Sequence, residues 1–139
     1  MTEKLMPDIA IDVPDGGFTI GEAAAALGIP METLRYWGRA GLLRDETPRN
    51  AGGQRRYGRS DLEWIAGVIM LRETGMGVGG IREIAALSRT PGTEGERLAF
   101  FEAHRRQVQS ELARTRRHLA AIEQKIAAYR AVVEEEDES

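Results

Sequence analysis

Seven arginines, Arg35, Arg39, Arg44, Arg49, Arg55, Arg56 and Arg59, fall between Thr33 and Arg59 against two acids, Asp45 and Glu46. That is a local excess of five positive charges in a 139-residue chain whose formal net charge is −3. Concentrated cations of this kind suit phosphate, because each arginine on a DNA phosphate releases counterion and makes binding salt-dependent. Arginine also suits base reading, since its fork can pair the two acceptors on a guanine edge. Tyr36, Trp37 and Tyr57 lie among the arginines and offer a phenol for phosphate and aromatic surface for backbone packing. The bland alternative is that arginine is simply this chain's preferred surface cation, with 17 arginines to two lysines. The clustering, not the residue type, carries the argument. Trp37 is in phase with Leu34 and reads as core, and Trp64 reads as a packing residue.

The remaining composition narrows the chemistry. No cysteine is present, which excludes disulfides, thiolate metal sites, iron–sulfur ligation and a cysteine nucleophile. His104 and His118 are two heptads apart on one helix face, a spacing that permits a histidine metal site across a dimer, but two solvated histidines are the reading adopted. No metal, cofactor or catalytic residue is expected, and no glycine-rich phosphate loop or carboxylate cluster points to an enzyme. No apolar run approaches the roughly 20 residues that cross a bilayer, and the opening MTEKLMPDIAIDVPDGG lacks a signal-peptide layout, so a cytoplasmic location with no membrane partner is expected.

The elements that must hold the cluster are mostly helical. Residues 1–17 show no period and read as a flexible arm. Thr19 and Glu22 form a capping box that opens a helix over 20–27, which Gly28-Ile29-Pro30 stops before a second helix over 31–40. Two short helices across a glycine-containing turn are the helix-turn-helix pattern, the second entering a groove. Gly41 ends it, and the turn-rich stretch to Tyr57 predicts a small hairpin with strands near 42–44 and 55–57, tipped by residues 49–53. A box from Ser60 to Glu63 opens a helix to about Thr74, with Leu62, Ile65 and Ile69 inward. GMGVGG (75–80) and SRTPGT (88–93) read as joints around a helix over 78–87, and Thr93 to Glu96 caps the last helix.

That last helix reads as a coiled-coil seam. Val108, Leu112, Thr115, Leu119, Ile122, Ile126, Tyr129 and Val133 follow the alternating 4,3 spacing of a and d positions. The stripe is narrow, and a second copy of the chain is the economical partner, giving a homodimer. Residues 134–139, EEEDES, read as a disordered acidic tail.

At this point the residues resemble the MerR family of transcriptional regulators. FTIGEAAAALGIPMETLRYWGRAGLL (18–43) is similar to its opening helix-turn-helix, and GGQRRYGRSDLEWI (52–65) to its wing and following helix. The resemblance implies a mainly α fold with a winged helix-turn-helix head over 18–90 and a dimerising helix over 94–133 that forms an antiparallel coiled coil. Carried over by position, Thr33, Arg35 and Tyr36 match recognition-helix contacts, and Arg55 and Tyr57 match the wing's phosphate and groove contacts, with Arg49 and Arg56 as additions. Thr19 matches a site where a helix N-terminus meets a phosphate. The chain departs from the pattern at Trp37 for the second tyrosine, Gly38 for the glutamate usually following it, and Gln54 for the wing tyrosine. The family implies double-stranded promoter DNA as partner, bound by the dimer at an inverted repeat and distorted so that RNA polymerase engages both promoter elements.

The signal stays open among three readings: no effector, a protein partner, or a small apolar ligand near Met76, Val78, Ile81, Phe100 and Phe101. GMGVGGIREI (75–84) is also similar to the family's repressor branches, so activation and repression both remain open. An effector-less or protein-regulated repressor and an excisionase-like architectural DNA-binding protein are the alternatives; the long coil disfavours the second.

Overall fold

The computed structural model describes residues 9–44, 52–53 and 55–138. Five helices follow one another: α1 (Ile20–Leu27), α2 (Met31–Ala40), α3 (Arg59–Glu73), α4 (Val78–Ser88) and α5 (Glu94–Glu138). The residues up to Phe100 form one compact unit, and those from Phe101 onward form a second.

Local chemistry sets the first two helices. The Thr19 hydroxyl accepts from the Glu22 amide at 3.2 Å, and the Glu22 carboxylate accepts from the Thr19 amide at 2.9 Å, completing the expected box. Gly28, at φ 72°, closes α1, and Gly41, at φ 81°, closes α2. Ala23 and Ala24 of α1 and Leu34 and Trp37 of α2 are buried, and these two helices pack on each other. Trp37 is therefore core, as its phase with Leu34 required.

α3 is the central element of this unit. Leu62, Trp64, Ile65, Val68 and Leu71 are all buried, and Ile69 is only half-buried, so burial extends around more of the helix than a single stripe. Trp64 carries a polar handle whose indole N–H donates to the Leu42 carbonyl at 2.9 Å. α3 begins at Arg59, earlier than the expected box at Ser60 and Glu63 would place it: Gly58 is the N-cap and donates its amide to Asp61 Oδ2 at 2.8 Å. Ser60 instead accepts from Arg44 Nη2 at 2.7 Å, and Glu63 is buried and paired with Arg59 Nε at 3.2 Å. Two overlapping acid-at-N3 patterns were available, and the one with Asp61 at N3 caps the helix, while Glu63 lies buried against Arg59.

The expected 42–44 strand is absent. Tyr57 pairs instead with Phe18, 2.8 Å from Tyr57 N to Phe18 O and 2.7 Å in return, as an isolated antiparallel bridge; the described residues contain no longer strand. Gly17 permits this approach, since it sits at φ 74° and a Cβ there would lie 2.9 Å from the Tyr57 carbonyl oxygen. Residues 9–17, expected to be a loose arm, are held by arginines: Arg56 donates to Gly16 O at 2.9 Å and Gly17 O at 2.8 Å, and Arg59 donates to Ile9 O and Ile11 O, each at 3.0 Å.

α4 buries Ile81, Ile84 and Ala85. Beside it, a Cβ on Gly80 would meet Met76 Cγ at 3.0 Å and Phe100 Cζ at 4.0 Å, so the apolar groups flanking the glycine joint pack against one another. Thr93 Oγ1 donates to the Leu87 and Thr90 carbonyls at 2.7 and 2.8 Å, tying the joint to the end of α4. α5 runs unbroken to Glu138, so the acidic residues 134–138 continue the helix where a disordered run was expected. None of its residues is buried, and the seam stands open to solvent at Leu112, Leu119, Ile122, Ile126, Tyr129 and Val133.

Candidate nucleic-acid interface

α2 is fixed from one side and bare on the other. Its inward residues, Leu34 and Trp37, leave Glu32, Arg35, Tyr36 and Arg39 exposed, at relative positions 0, 3, 4 and 7 of one helix face. Two further arginines fasten the end of this helix and the turn after it: Arg82 Nε donates to Ala40 O at 2.7 Å, and Arg89 Nη1 to Leu43 O at 2.6 Å. Guanidinium donors complement the unpaired carbonyls and negative dipole end of a helix C-terminus.

The cationic cluster divides into two groups. Arg44, Arg56 and Arg59 are engaged within the protein. Arg44 lies 5.8 Å from the centroid of the Trp64 ring as well as on Ser60, a cation–π arrangement, and Arg56 and Arg59 bind the carbonyls of residues 9–17. Arg35, Arg39 and Arg55 point outward. Arg35 is paired with Glu32, both side chains largely solvated, and its Nη2 is 3.8 Å from Met31 Sδ. A solvated pair of this kind contributes little to stability and is readily exchanged for a phosphate. Arg39 and Arg55 make no hydrogen bond or ion pair among the described residues.

Of the expected site residues, Thr33 is half-buried on α2, Arg35 is exposed, and Tyr36 is 46% exposed. Arg55 is exposed with its guanidinium against α2 at Gly38. Two expectations need correction. Tyr57 is 1% exposed and belongs to the core, so its ring is not available to a groove. Arg56 is half-buried and its guanidinium is already bound to two carbonyls, which makes it a brace for the segment before α1. Arg49 lies outside the described residues. Arg39 was counted in the cluster but not among the expected contacts; the 32, 35, 36, 39 phase of α2 was the signal that could have singled it out.

Thr19 sits at the N-terminus of α1, where its hydroxyl and amide are both engaged by Glu22. The amide of Thr19, then its hydroxyl, and then the charge of Arg56 hold the Glu22 carboxyl below its ordinary value of 4.5. The Glu22 carboxylate thus already takes the Thr19 amide at the helix end where an anion would bind. Among the described residues no group of three or more histidine, cysteine, aspartate or glutamate side chains is placed to hold a metal ion, and no helix is long and apolar enough to cross a membrane.

Comparison with known proteins gives one consistent answer. The family of MerR helix-turn-helix regulatory proteins matches residues 18–88. An HTH-type transcriptional regulator of Haemophilus influenzae is 34% identical over 113 residues, covering 81% of this chain and 83% of the relative. A mercuric resistance operon regulatory protein of Shigella flexneri is 34% identical over 100 residues, covering 69% of this chain and 67% of that protein. Among solved structures, HiNmlR, a MerR family regulator lacking the sensor domain and bound to promoter DNA, superposes with a TM-score of 0.74 at 33% identity, over 81% of this chain and 90% of the other.

The Glu22 shift carries a prediction. A carboxyl whose folded value is depressed adds stability above its unfolded value, and that stability is lost as pH falls through the folded value. Glu22→Gln should therefore lower the unfolding midpoint at neutral pH, with the gap to the parent chain closing as pH falls below 4.5. Urea titrations between pH 7 and pH 3 read this directly, and a gap independent of pH would show that the charge of Glu22 does not stabilise the cap.

Proposed function

The chain belongs to the MerR family of helix-turn-helix regulatory proteins, and on that premise we propose that it works as a homodimeric, promoter-binding transcriptional regulator that reads DNA with the outward face of α2. The observation that carries this is the two-sidedness of α2: Leu34 and Trp37 lock it to the core while Arg35, Tyr36 and Arg39 face solvent together. A helix held in that way presents fork-shaped donors to base edges in a major groove. The promoter DNA held by HiNmlR, similar over most of its length, supports the same partner here.

Arg35 and Tyr36 read base edges and their flanking phosphates, Thr33 and Arg39 contact the backbone beside them, and Arg55 takes a phosphate from the adjoining segment. Arg49 belongs to the same basic segment and adds a backbone contact. The α1 N-terminus at Thr19 approaches a phosphate through amides that Glu22 does not occupy. Residues 18–90 are the DNA-binding part and residues 94–133 the dimerising helix.

The dimer follows from α5. Its a and d residues are 47–70% exposed at Leu112, Leu119, Ile122, Ile126, Tyr129 and Val133, a continuous apolar stripe that water solvates poorly. A second α5 covers it, antiparallel as the family arrangement implies. Twofold symmetry then places two copies of α2 on an inverted repeat, and distortion of the intervening DNA lets RNA polymerase engage the promoter. The protein acts on DNA in the cytoplasm and carries out no catalytic step.

Genome-wide mapping of the bound DNA should return an inverted repeat within promoters; scattered, sequence-independent occupancy would argue against the reading. On a mapped site, Arg35→Ala should weaken specific binding by about 1–3 kcal/mol and relax the base preference at one position in each half-site. Unchanged affinity and preference in a binding titration would remove Arg35 from the recognition face. Leu119→Asp should convert the dimer to monomers in sedimentation velocity, because an unpaired carboxylate in the seam loses its hydration; a persistent dimer would mean that the stripe is not the interface.

A further inference from the structure

Gly38 lies inside α2, where glycine costs about 1 kcal/mol relative to alanine. Its backbone gives no reason for the choice, since it is not among the glycines with positive φ. The reason lies in the space where a side chain would be. A Cβ on Gly38 would come within 3.0 Å of Arg55 Nη1 and 3.8 Å of Leu43 Cδ1. A side chain at 38 would therefore crowd the Arg55 guanidinium, which would have to give way by a few tenths of an ångström.

Arg55, like Arg39, differs from most of the arginines around it. Arg44, Arg56, Arg59, Arg82 and Arg89 donate to hydroxyl or carbonyl oxygens of the protein, whereas Arg55 makes no hydrogen bond or ion pair among the described residues and is exposed. Its guanidinium rests against the bare backbone of Gly38, with its charge uncommitted among the described residues. Its neighbours on α2 are Arg35, one turn before Gly38, and Arg39, the next residue. For stability alone the arrangement is poor, because alanine at 38 would strengthen the helix.

We propose that Gly38 is a positioning residue for DNA binding: a side-chain-free seat that holds the Arg55 guanidinium on the recognition helix beside Arg35 and Arg39, keeping its full charge for a DNA phosphate. The proposal rests on α2 being the DNA-reading helix. A glutamate at 38, as in the pattern this chain otherwise resembles, would set a carboxylate against Arg55 and withdraw that charge. Glycine sets none there and supplies the room.

The test uses the full chain as Gly38→Ala, Gly38→Glu, Arg55→Ala and the double variant Gly38→Ala/Arg55→Ala. NMR relaxation of the Arg55 Nε–Hε group in the free protein should show a restrained side chain that becomes mobile in Gly38→Ala, while the melting temperature stays equal or rises. On a mixed-sequence DNA duplex, Gly38→Ala should flatten the slope of log affinity against log salt by about one phosphate contact, worth roughly threefold between 50 and 200 mM salt. Gly38→Glu should flatten it at least as much, and Gly38→Ala should change nothing further once Arg55 is alanine. Equal Arg55 mobility in parent and Gly38→Ala, or losses that add in the double variant, would overturn the proposal. Failure of the parent chain to bind the duplex at low salt would instead defeat the DNA-reading role of α2, with the relaxation data still deciding whether Gly38 seats Arg55.

Discussion

A helix that reads DNA has to be immobile on one side and undressed on the other, and in this chain the burial of Leu34 and Trp37 meets the first demand. Ten residues are too few to be stable as an isolated helix, so α2 exists because tertiary packing holds it. Packing against α1 fixes its axis, the Arg82 bond to Ala40 O fixes its end, and the Trp64 bond to Leu42 O ties the following turn to α3. Rotation of α2 by one residue would carry Trp37 into water and Tyr36 inward. The orientation of Arg35 and Arg39 is thus a consequence of where two apolar residues sit.

A second constraint explains why so basic a segment is not wholly a DNA surface. Among the described residues the head has little regular structure outside its helices, and carbonyls in its loops need donors. Guanidiniums supply them to Gly16, Gly17, Ile9, Ile11, Ala40 and Leu43. Counting arginines therefore overstates the phosphate-binding capacity of the cluster. Among the described residues, those left over, Arg35, Arg39 and Arg55, are fewer, and they lie on or against one helix.

Much of this was legible in the sequence wherever the determinant was local. The Thr19–Glu22 box, the glycines after α1 and α2, and the heptad spacing of α5 each act within a few residues; α1 and α2 fall where those signals placed them, and α5 runs on past the expected end to Glu138. The partner of Tyr57 was not legible, because Phe18 is far away in the chain and the bridge depends on Gly17 letting two backbones meet. The same distance hid the roles of Arg56 and Arg59, whose acceptors lie some 40 to 50 positions earlier. At the start of α3, Ser60 and Glu63 matched a full capping box whereas Gly58 and Asp61 offer only its carboxylate half, and Glu63 proved to be a buried partner of Arg59. Position-by-position resemblance placed Tyr57 at the DNA; its burial could be seen only once the core was assembled.

The cluster is partitioned: Arg56 and Arg59 brace the fold, which leaves α2 and Arg55 for the DNA-facing role proposed for them. Following the arginine Nε–Hε resonances while a mapped promoter duplex is titrated into the full chain tests this most directly. The signals of Arg35, Arg39 and Arg55 should shift and saturate together, while those of Arg56 and Arg59 stay in place. Large shifts confined to Arg56 and Arg59, with α2 silent, would contradict it.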